Sequence, residues 1–282
     1  MSDPNGPTVR RRRLGSELRR LRENVGLRLE DVAKVLECST SKISRIETGQ
    51  GLARRIEVEK MLDIFGVSDP DAVATIMDIH RRAGETGWWE ESEFDLVLPS
   101  GLSLYVGLEY DARMLHCWEL AYVPGLLQTE QYARAVLGHS RSGQQDTVDR
   151  LTEARMRRQQ RLTAKDPLEL WAIMDESVLL RPVGGEQVMR EQIAHLIDMA
   201  QLPNVNLQVC PLAKGMHTGL RGAFSILEFG PSDPRLVYVG GMSGNVLVDR
   251  DARVRRYTSI YSSLQASSLD LQDTLALLKR AL

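Results

Sequence analysis

Apolar residues recur at three- and four-residue intervals through roughly the first 85 positions of this 282-residue chain. Leu14, Leu18, Leu21 and Val25 form the first stripe, with the spacing of one buried helix face. Four further stripes follow, and their members are Val32, Ala33 and Leu36; Ile43 and Ile46; Ile56, Val58, Met61, Leu62 and Phe65; and Ala72, Val73, Ile76, Met77 and Ile79. The pattern predicts five helices in one all-α domain over residues 10–84.

The third of these helices is short and polar on its outer side. Ser39 is suited to cap its N-terminus, and Gly49 is suited to end it. Thr40, Ser41 and Arg45 then face outward, and short hydroxyls followed by a long cation can donate to base edges and phosphates in a DNA major groove. An ordinary solvated helix has the same composition, so this stretch alone leaves both interpretations open.

The helix before it is also short, and a three-residue turn joins the two, as in units that set a helix into the major groove. The segment LRRLRENVGLRLEDVAKVLECSTSKISRIETGQ, Leu18 to Gln50, resembles the XRE or Cro/repressor family of helix-turn-helix regulators. The resemblance implies double-stranded DNA as a partner, contacted in the major groove. The positions it implies are Thr40, Ser41 and Arg45 for bases, and Arg28 and Lys42 for phosphates.

The same resemblance implies a structural ion pair between Arg22 and Glu47, which would hold the first and third helices together. Two positions depart from the family pattern. Arg28 stands where Ser or Thr usually caps the second helix, and Glu37 stands where the turn usually has Gly. A lost cap and a non-glycine residue forced toward positive φ each cost on the order of 1 kcal/mol, too little to overturn the fold.

Charge is divided unevenly along the chain. The first 60 residues carry 14 Lys and Arg against 9 Asp and Glu, whereas the remainder carries 22 against 29. This division indicates that nucleic acid meets one end only. The run Arg10 to Arg13 follows a predicted flexible tail, residues 1–9. It has two interpretations: an arm in which Arg11 and Arg12 grip phosphates, or the solvated start of the first helix.

The remaining length requires a second domain, since 282 residues at 43% hydrophobic can fill two cores. Residues 85–100 are predicted to be a linker, because glycines and acids break the helical pattern there. We expect Trp88 and Trp89 to pack onto a neighbouring domain, with stacking on a ligand as the alternative. The second domain then covers residues 101–282.

The second domain alternates between helical and strand-like patterns. Strand-like runs are Met114 to Leu120, LELWAIMD, NVNLQVCP, FSILEF, RLVYVG and NVLVD, and helices are predicted near 102–112, 129–137, 146–162, 186–201, 249–264 and 269–282. The order predicts a mixed α/β (α+β) domain, with one parallel strand pairing leading into an antiparallel meander. The glycines of Val239–Asn245 predict a hairpin turn.

A second resemblance covers residues from about 101 to 275. VPGLLQTEQYA, RMRRQQRL, MDESVLLRPVG, NVNLQVCP and GAFSILEF are similar to segments of the uncharacterised domain in actinobacterial WhiJ-like regulators. This resemblance implies a transcriptional regulator, antitoxin-like in some members, whose C-terminal domain meets a small protein partner. It implies no reaction, so no catalytic residue, cofactor or metal is assigned. A homodimer is expected from the way such regulators gain affinity.

Other polar groups favour structural roles. Asp175 with Glu176, Lys214 with His217, and Asp249 with Asp251 match no catalytic motif, although Asp175, His217 and Asp249 could bind a metal if they clustered. His195 is expected to be a hydrogen-bonded core histidine. The basic segment Ala154 to Arg161 is interpreted as a solvated face or a partner contact, with DNA contact as the alternative.

Cellular location also follows from what the sequence contains. The three cysteines, Cys38, Cys117 and Cys210, lack metal-binding spacing and are expected to be reduced and buried. The N-terminal segment lacks an apolar signal core, and no stretch of 18 apolar residues occurs. We therefore expect a cytoplasmic, nucleoid-associated protein. Its function is predicted to be DNA-binding regulation signalled by a protein partner; a small-molecule sensor near Trp171 and an enzymatic second domain are the alternatives.

Overall fold

The computed structural model describes residues 9–85, 87–95, 97–98, 102–139, 144–230, 233–241 and 244–282. The predicted tail therefore lies outside the described residues except for Val9, as do parts of the predicted linker and of the glycine-containing turn near 242. The chain divides into two compact units. One comprises residues up to Glu90 together with Ser103–Asp111, and the other comprises Glu91–Leu102 and Ala112–Leu282.

The first unit begins with the five predicted helices. They are α1 (Val9–Asn24), α2 (Leu29–Val35), α3 (Thr40–Glu47), α4 (Arg55–Ile64) and α5 (Pro70–Ala83). Their apolar stripes meet in one core, in which Leu18, Val32, Ile43 and Val58 have no exposed surface. Burial of the stripes against one another supplies most of the stabilisation, because helices this short are marginal in isolation.

The predicted burial is wrong for two residues of the apolar stripes. Val25 is 46% exposed because α1 ends at Asn24, so the residue no longer follows the helical face. Ile56 is 54% exposed in the first turn of α4. It lies two positions before Val58, which places it on the opposite side of the helix from the buried stripe.

Trp89 anchors the segment that follows α5. It belongs to a 3-10 turn, Trp88–Glu90, after which come α6 (Ser92–Asp95) and α7 (Leu102–Asp111). The Trp89 side chain is 6% exposed, and its ring centroid lies 5.0 Å from that of Tyr110. A Cβ atom at Gly107 would come within 3.0 Å of the indole nitrogen, so α7 accepts the ring where a side chain is missing. The predicted packing of a tryptophan is therefore confirmed, and residues 103–111 belong with the first unit.

The second unit is built on a six-stranded sheet of order β3-β2-β1-β4-β5-β6. The strands are β1 (Met114–Glu119), β2 (Glu169–Asp175), β3 (Val205–Cys210), β4 (Phe224–Glu228), β5 (Leu236–Val239) and β6 (Val246–Val248). β2 and β3 pair in parallel, and β4, β5 and β6 form an antiparallel meander, as the sequence predicts. β1 also pairs in parallel with β2 and antiparallel with β4, which adds a second parallel pairing. The α+β class is confirmed.

Helices connect and cover the strands of this sheet. They are α8 (Glu130–His139), α9 (Gln145–Gln159), α10 (Glu186–Met199), α11 (Asp251–Ser267) and α12 (Leu271–Ala281). On one face, Trp118, Ile173 and Phe224 form a core with Tyr261 and Leu264 of α11. Among the described residues, no helix is both long and apolar enough to cross a membrane.

The basic segment at the end of α9 makes hydrogen bonds inside its own unit. Arg155 Nη1 donates to Gln128 Oε1 at 2.7 Å, and Gln159 Nε2 donates to the carbonyl of Gln128 at 2.7 Å. Arg161 donates to the carbonyls of Ala112 and Asp166. The interpretation as a solvated face is wrong for these side chains, because they satisfy backbone and side-chain oxygens in the segments that precede β1, α8 and β2.

The cysteine prediction is confirmed in part. Cys117 and Cys210 are free and buried, whereas Cys38 is free but only half-buried. Burial raises the pKa of the Cys210 thiol, with Asp175 adding to the effect. A buried thiol with a raised pKa is a poor nucleophile, so Cys210 has a packing role.

Candidate nucleic-acid interface

Helix α3 begins at a hydroxyl cap and has one apolar and one polar side. Ser39 Oγ accepts a hydrogen bond from the backbone N–H of Lys42 at 3.2 Å, which satisfies one of the free donors of the first turn. Ile43 and Ile46 are fully buried. Thr40, Ser41 and Arg45, on the opposite side, are exposed. The residues predicted to contact bases therefore share one accessible surface of one helix.

The turn between α2 and α3 contains the unusual backbone conformation that the sequence predicts. Glu37 has φ of 49°, the only positive φ of a non-glycine residue in the described chain. A side chain in this left-handed region costs about 1 to 2 kcal/mol relative to the right-handed region. The turn keeps its hydrogen bonds all the same, since the N–H of Cys38 donates to the carbonyl of Ala33 at 2.9 Å.

Arg28 precedes α2 with extended backbone geometry. Its backbone N–H donates to Asp31 Oδ2 at 2.8 Å, so the helix start is stabilised from the third helical residue rather than by a hydroxyl at the cap. The Arg28 side chain is exposed. It is therefore available to a phosphate, and the missing Ser or Thr cap is compensated in part.

The Arg22 and Glu47 side chains meet across α1 and α3. Arg22 Nε donates to Glu47 Oε1 at 2.7 Å, and Arg22 Nη2 donates to Glu47 Oε2 at 3.0 Å. A third donor, Arg22 Nη1, reaches the carbonyl of Leu27 at 2.7 Å. The two side chains are 10% and 7% exposed. This bidentate pair fixes the end of α3 against α1 and against the turn before α2.

Two glycines bring the end of α3 close to α1. A Cβ atom at Gly15 would overlap the carbonyl oxygen of Ile46 and would lie 2.6 Å from that of Glu47. Gly49 has φ of 74°, and a Cβ atom there would lie 2.7 Å from the backbone nitrogen of Arg12. Side chains are excluded at both positions by backbone atoms, which cannot rotate away. The position of α3 therefore depends on these two glycines.

Glu57 links α3 to the start of α4. Its carboxylate accepts from Lys42 Nζ at 2.6 Å, from the backbone N–H of Arg54 at 2.8 Å and from Arg54 Nη2 at 2.9 Å. The residue is 4% exposed. Burial alone would raise the pKa of Glu57, but the hydrogen bonds from Lys42 and Arg54 outweigh it and lower that pKa to about 2. Lys42, predicted to hold a phosphate, is thus already paired with a carboxylate.

We expect the Glu57→Gln variant to lose about 2 kcal/mol of unfolding free energy near neutral pH, because the folded protein holds the ionised carboxylate better than the unfolded chain does. The loss should be fully present above pH 5. It should vanish as the pH falls from about 4.5 toward 2, where the wild-type carboxylate also becomes protonated. Urea unfolding at several pH values measures this difference. Glu59→Gln, a 40% exposed neighbour on α4, should change little at any pH.

The flexible-arm interpretation of the N-terminal arginines is wrong. Residues 10–13 lie in α1, and Arg10 bonds to Asp111 and Glu85. Arg11 Nε donates to the carbonyl of Ala83 at 3.4 Å, at the end of α5. Cations at the N-terminus of a helix are unfavourable. Here Arg10 pairs with carboxylates, and Arg11 donates to a carbonyl at the C-terminal end of α5. Arg11 and Arg12 are half-buried, so they differ from the exposed side chains of α3.

Sequence reasoning identified the exposed face of α3 but missed Gly15 and Glu57. Glu57 follows the cap residue Arg54 by three positions, the spacing of a capping box, and this signal could have drawn attention to it. Gly15 lies inside a helix, where glycine is unfavourable without a packing reason. A glycine at this interior helical position is the signal by which the sequence could have indicated a close contact at Gly15.

The second unit shows no metal-binding cluster in its described part. No three His, Cys, Asp or Glu residues lie close enough to hold a metal ion among the residues that the structure describes. His217 Nε2 lies 3.5 Å from Asp175 Oδ2, but Asp249 does not complete a site with them. His195 Nε2 is buried without a hydrogen-bond partner, so the predicted hydrogen bond is not made by that nitrogen. Burial lowers the pKa of His195, which favours its neutral form.

Comparison with known protein families finds one match in each part of the chain. A family model described as a helix-turn-helix domain matches residues 13–75. A second, described as a domain of unknown function (DUF5753), matches residues 102–280. No curated protein and no solved structure matches the chain. The matches support a helix-turn-helix regulator with an uncharacterised second domain, and they do not separate the XRE or WhiJ-like groups from other such regulators.

Proposed function

This chain belongs to the family defined by the domain of unknown function DUF5753, and since a helix-turn-helix domain precedes that domain, we propose that it is a sequence-specific transcriptional regulator. The first unit binds double-stranded DNA, and the second unit receives the signal that controls binding. In this proposal the second unit catalyses no reaction.

One observation carries the proposal: α3 presents Thr40, Ser41 and Arg45 on its open side while its other side is locked into the core. The Arg22 and Glu47 pair and the close approach at Gly15 fix the helix against α1. A helix held this rigidly can enter a major groove without a large ordering cost. Hydroxyls and a guanidinium are suited to donate to base edges there.

The side chains around α3 are proposed to divide into two roles. Thr40, Ser41 and Arg45 contact bases, and Arg28 and Lys42 contact phosphates, which position the helix without reading sequence. Lys42 has three donors, and the contact with Glu57 orients its ammonium at the edge of α3. The phosphate contacts predicted for Arg11 and Arg12 are not part of the proposal, because these side chains are half-buried at the start of α1.

We further propose that two copies bind a two-fold-symmetric operator and that a small protein partner of the second unit supplies the signal. A pair of readers roughly doubles the number of contacts, and symmetric operators accommodate symmetric dimers. The resemblance to WhiJ-like regulators supports a protein rather than a small molecule as the signal.

Selection of bound duplexes from a random DNA library tests both the sequence preference of the first unit and the symmetry of its operator. Related half-sites about one helical turn apart are expected. Recovery of unrelated sequences would contradict the proposal.

Arg45→Ala is expected to cost about 1 to 3 kcal/mol of binding free energy on the selected site and to relax the preference for one base pair. Arg28→Ala is the matched control, because its backbone hydrogen bond to Asp31 survives the change. It should weaken binding to selected and scrambled duplexes alike. Fluorescence anisotropy at one fixed salt concentration measures both. Equal losses on both duplexes for Arg45→Ala would show that this residue does not read bases.

A further inference from the structure

A loop in the second unit exposes large apolar side chains at the carboxyl ends of the parallel strands. The loop follows β3 and runs from Pro211 to Gly222. Met216 is 90% exposed, Leu212 is 50% exposed and Leu220 is 49% exposed. Three large exposed apolar side chains thus occur close together in sequence in one short loop, and we call them the patch; exposed apolar residues on an ordinary surface are scattered singly.

The loop is held in place by hydrogen bonds and ring contacts to the elements on which it packs. The backbone N–H of Leu212 donates to Glu176 Oε2 at 2.7 Å. Trp118 Nε1 donates to the carbonyl of Gly219 at 2.9 Å, and a Cβ atom at Gly219 would come within 2.6 Å of the indole ring. His217 packs edge-on against the same ring and lies beside Asp175, with both side chains 8% exposed.

These contacts hold the loop in one conformation. The exposure of its apolar side chains is therefore a property of the folded protein. On its buried side the loop contacts Trp118 and Asp175, and His217 of the loop lies there. On its exposed side it carries Leu212, Met216 and Leu220. A surface whose backbone is already fixed binds a partner at a lower entropic cost than a loop that must first be ordered. Methionine and leucine at such a surface adapt to the shape of an apolar partner.

The exposed charged residues of the loop, called here the rim, are basic. Lys214 and Arg221 in the loop are exposed. Arg181 is exposed in the segment after β2, which the Glu176 hydrogen bond joins to the loop. Of the acids in these segments, Asp175 is buried, and Glu176 is half-buried and accepts a hydrogen bond from the backbone of Leu212. A basic rim around an apolar centre favours a partner with the opposite charge pattern.

We propose that Leu212, Met216 and Leu220, with Lys214 and Arg221, form the docking surface for a protein segment that carries apolar side chains flanked by Asp or Glu. This inference rests on the proposed function and names the surface and the chemistry of the partner. A second copy of the chain is a poor occupant. Two copies of the same patch brought face to face would set their basic rims against each other.

A random peptide library displayed on phage and panned against the full chain tests the proposal. Peptides that are both apolar and net acidic are expected to be enriched. Met216→Ser combined with Leu220→Ser should weaken their binding at least tenfold, and Lys214→Glu combined with Arg221→Glu should weaken it and reverse the charge preference. Leu271→Ser and Lys165→Glu, exposed sites elsewhere in the same unit, are the matched controls and should bind as the wild type does.

Three results would overturn the docking surface: no enrichment that depends on Met216, enrichment of neutral or basic peptides, or a change in sedimentation of the chain alone on substitution of the patch. The last result would assign the surface to a second copy. DNA affinity of the same variants is measured separately and should be unchanged. Failure of the wild-type chain to select any DNA sequence would count against the proposed function and not against the patch.

Discussion

Replacing Arg22 with alanine is expected to lower the free energy of unfolding of the helix-turn-helix unit by about 3 to 5 kcal/mol, because it strands a buried carboxylate. Glu47 is 7% exposed and receives two hydrogen bonds from Arg22. The carbonyl of Leu27 loses its guanidinium donor at the same time. Urea unfolding followed by circular dichroism measures the loss.

Arg19→Ala on the same helix is the matched control for this prediction. Arg19 and Glu23 form an ion pair at 2.8 Å, but both side chains are more than half exposed. Their pair should contribute little to stability, because water solvates both partners and screens the attraction between them. A second comparison is Arg22→Met combined with Glu47→Leu, which removes both charges and should recover much of the loss. Equal effects of Arg22→Ala and Arg19→Ala would mean that the Arg22 pair is not structural.

Gly15→Ala is expected to destabilise the same unit by about 3 kcal/mol, since the added methyl group overlaps backbone oxygens of Ile46 and Glu47. Alanine is the better helix former by about 1 kcal/mol, so the sign of the effect identifies the clash. The only relief is for α3 to move away from α1. DNA affinity should therefore fall along with stability, because the side chains proposed to contact bases move with the helix.

Gly138→Ala in α8 provides the opposite case. Its added Cβ atom would meet nothing within 4 Å. The substitution should leave stability unchanged or raise it by up to about 1 kcal/mol. Thermal unfolding of both variants compares the two glycines directly. If Gly15→Ala melted at or above the wild-type temperature, the close approach of α1 and α3 would not be required.

The local pattern of the first unit could be predicted from sequence, whereas contacts across helices could not. The Ser39 cap and the buried Ile43 and Ile46 depend on neighbours within one turn, so spacing was sufficient. The partner of Lys42 lies 15 residues away on another helix. Nothing in the periodicity of α3 indicates that contact. Val25 falls in a predicted stripe because helix ends shift by one or two residues without a sequence signal, whereas Ile56 lies inside α4 but two positions from Val58 and so on the other side of the helix.

The second unit shows the same limit for strands. The parallel pairing of β2 with β3 was predicted because a single helix, α10, separates them. β1 also pairs in parallel with β2, but α8 and α9 lie between them, and strand order across such a connection is not encoded in local pattern. The basic segment at the end of α9 was interpreted as a solvated or partner-binding face, since composition alone cannot distinguish arginines that face water from arginines that hold a loop.

The Glu57 carboxylate should reduce the dependence of DNA affinity on ionic strength. Lys42 and Arg54 share this one carboxylate, so the three groups together carry one positive charge rather than two. Each neutralised phosphate contributes about 0.9 to the slope of log affinity against log salt concentration. Affinity should therefore decline less steeply with added salt than a count of surface cations suggests. Because the Glu57 carboxylate takes one of the three donors of Lys42, the contact proposed between Lys42 and a phosphate should release fewer counterions than a contact by an unpaired lysine.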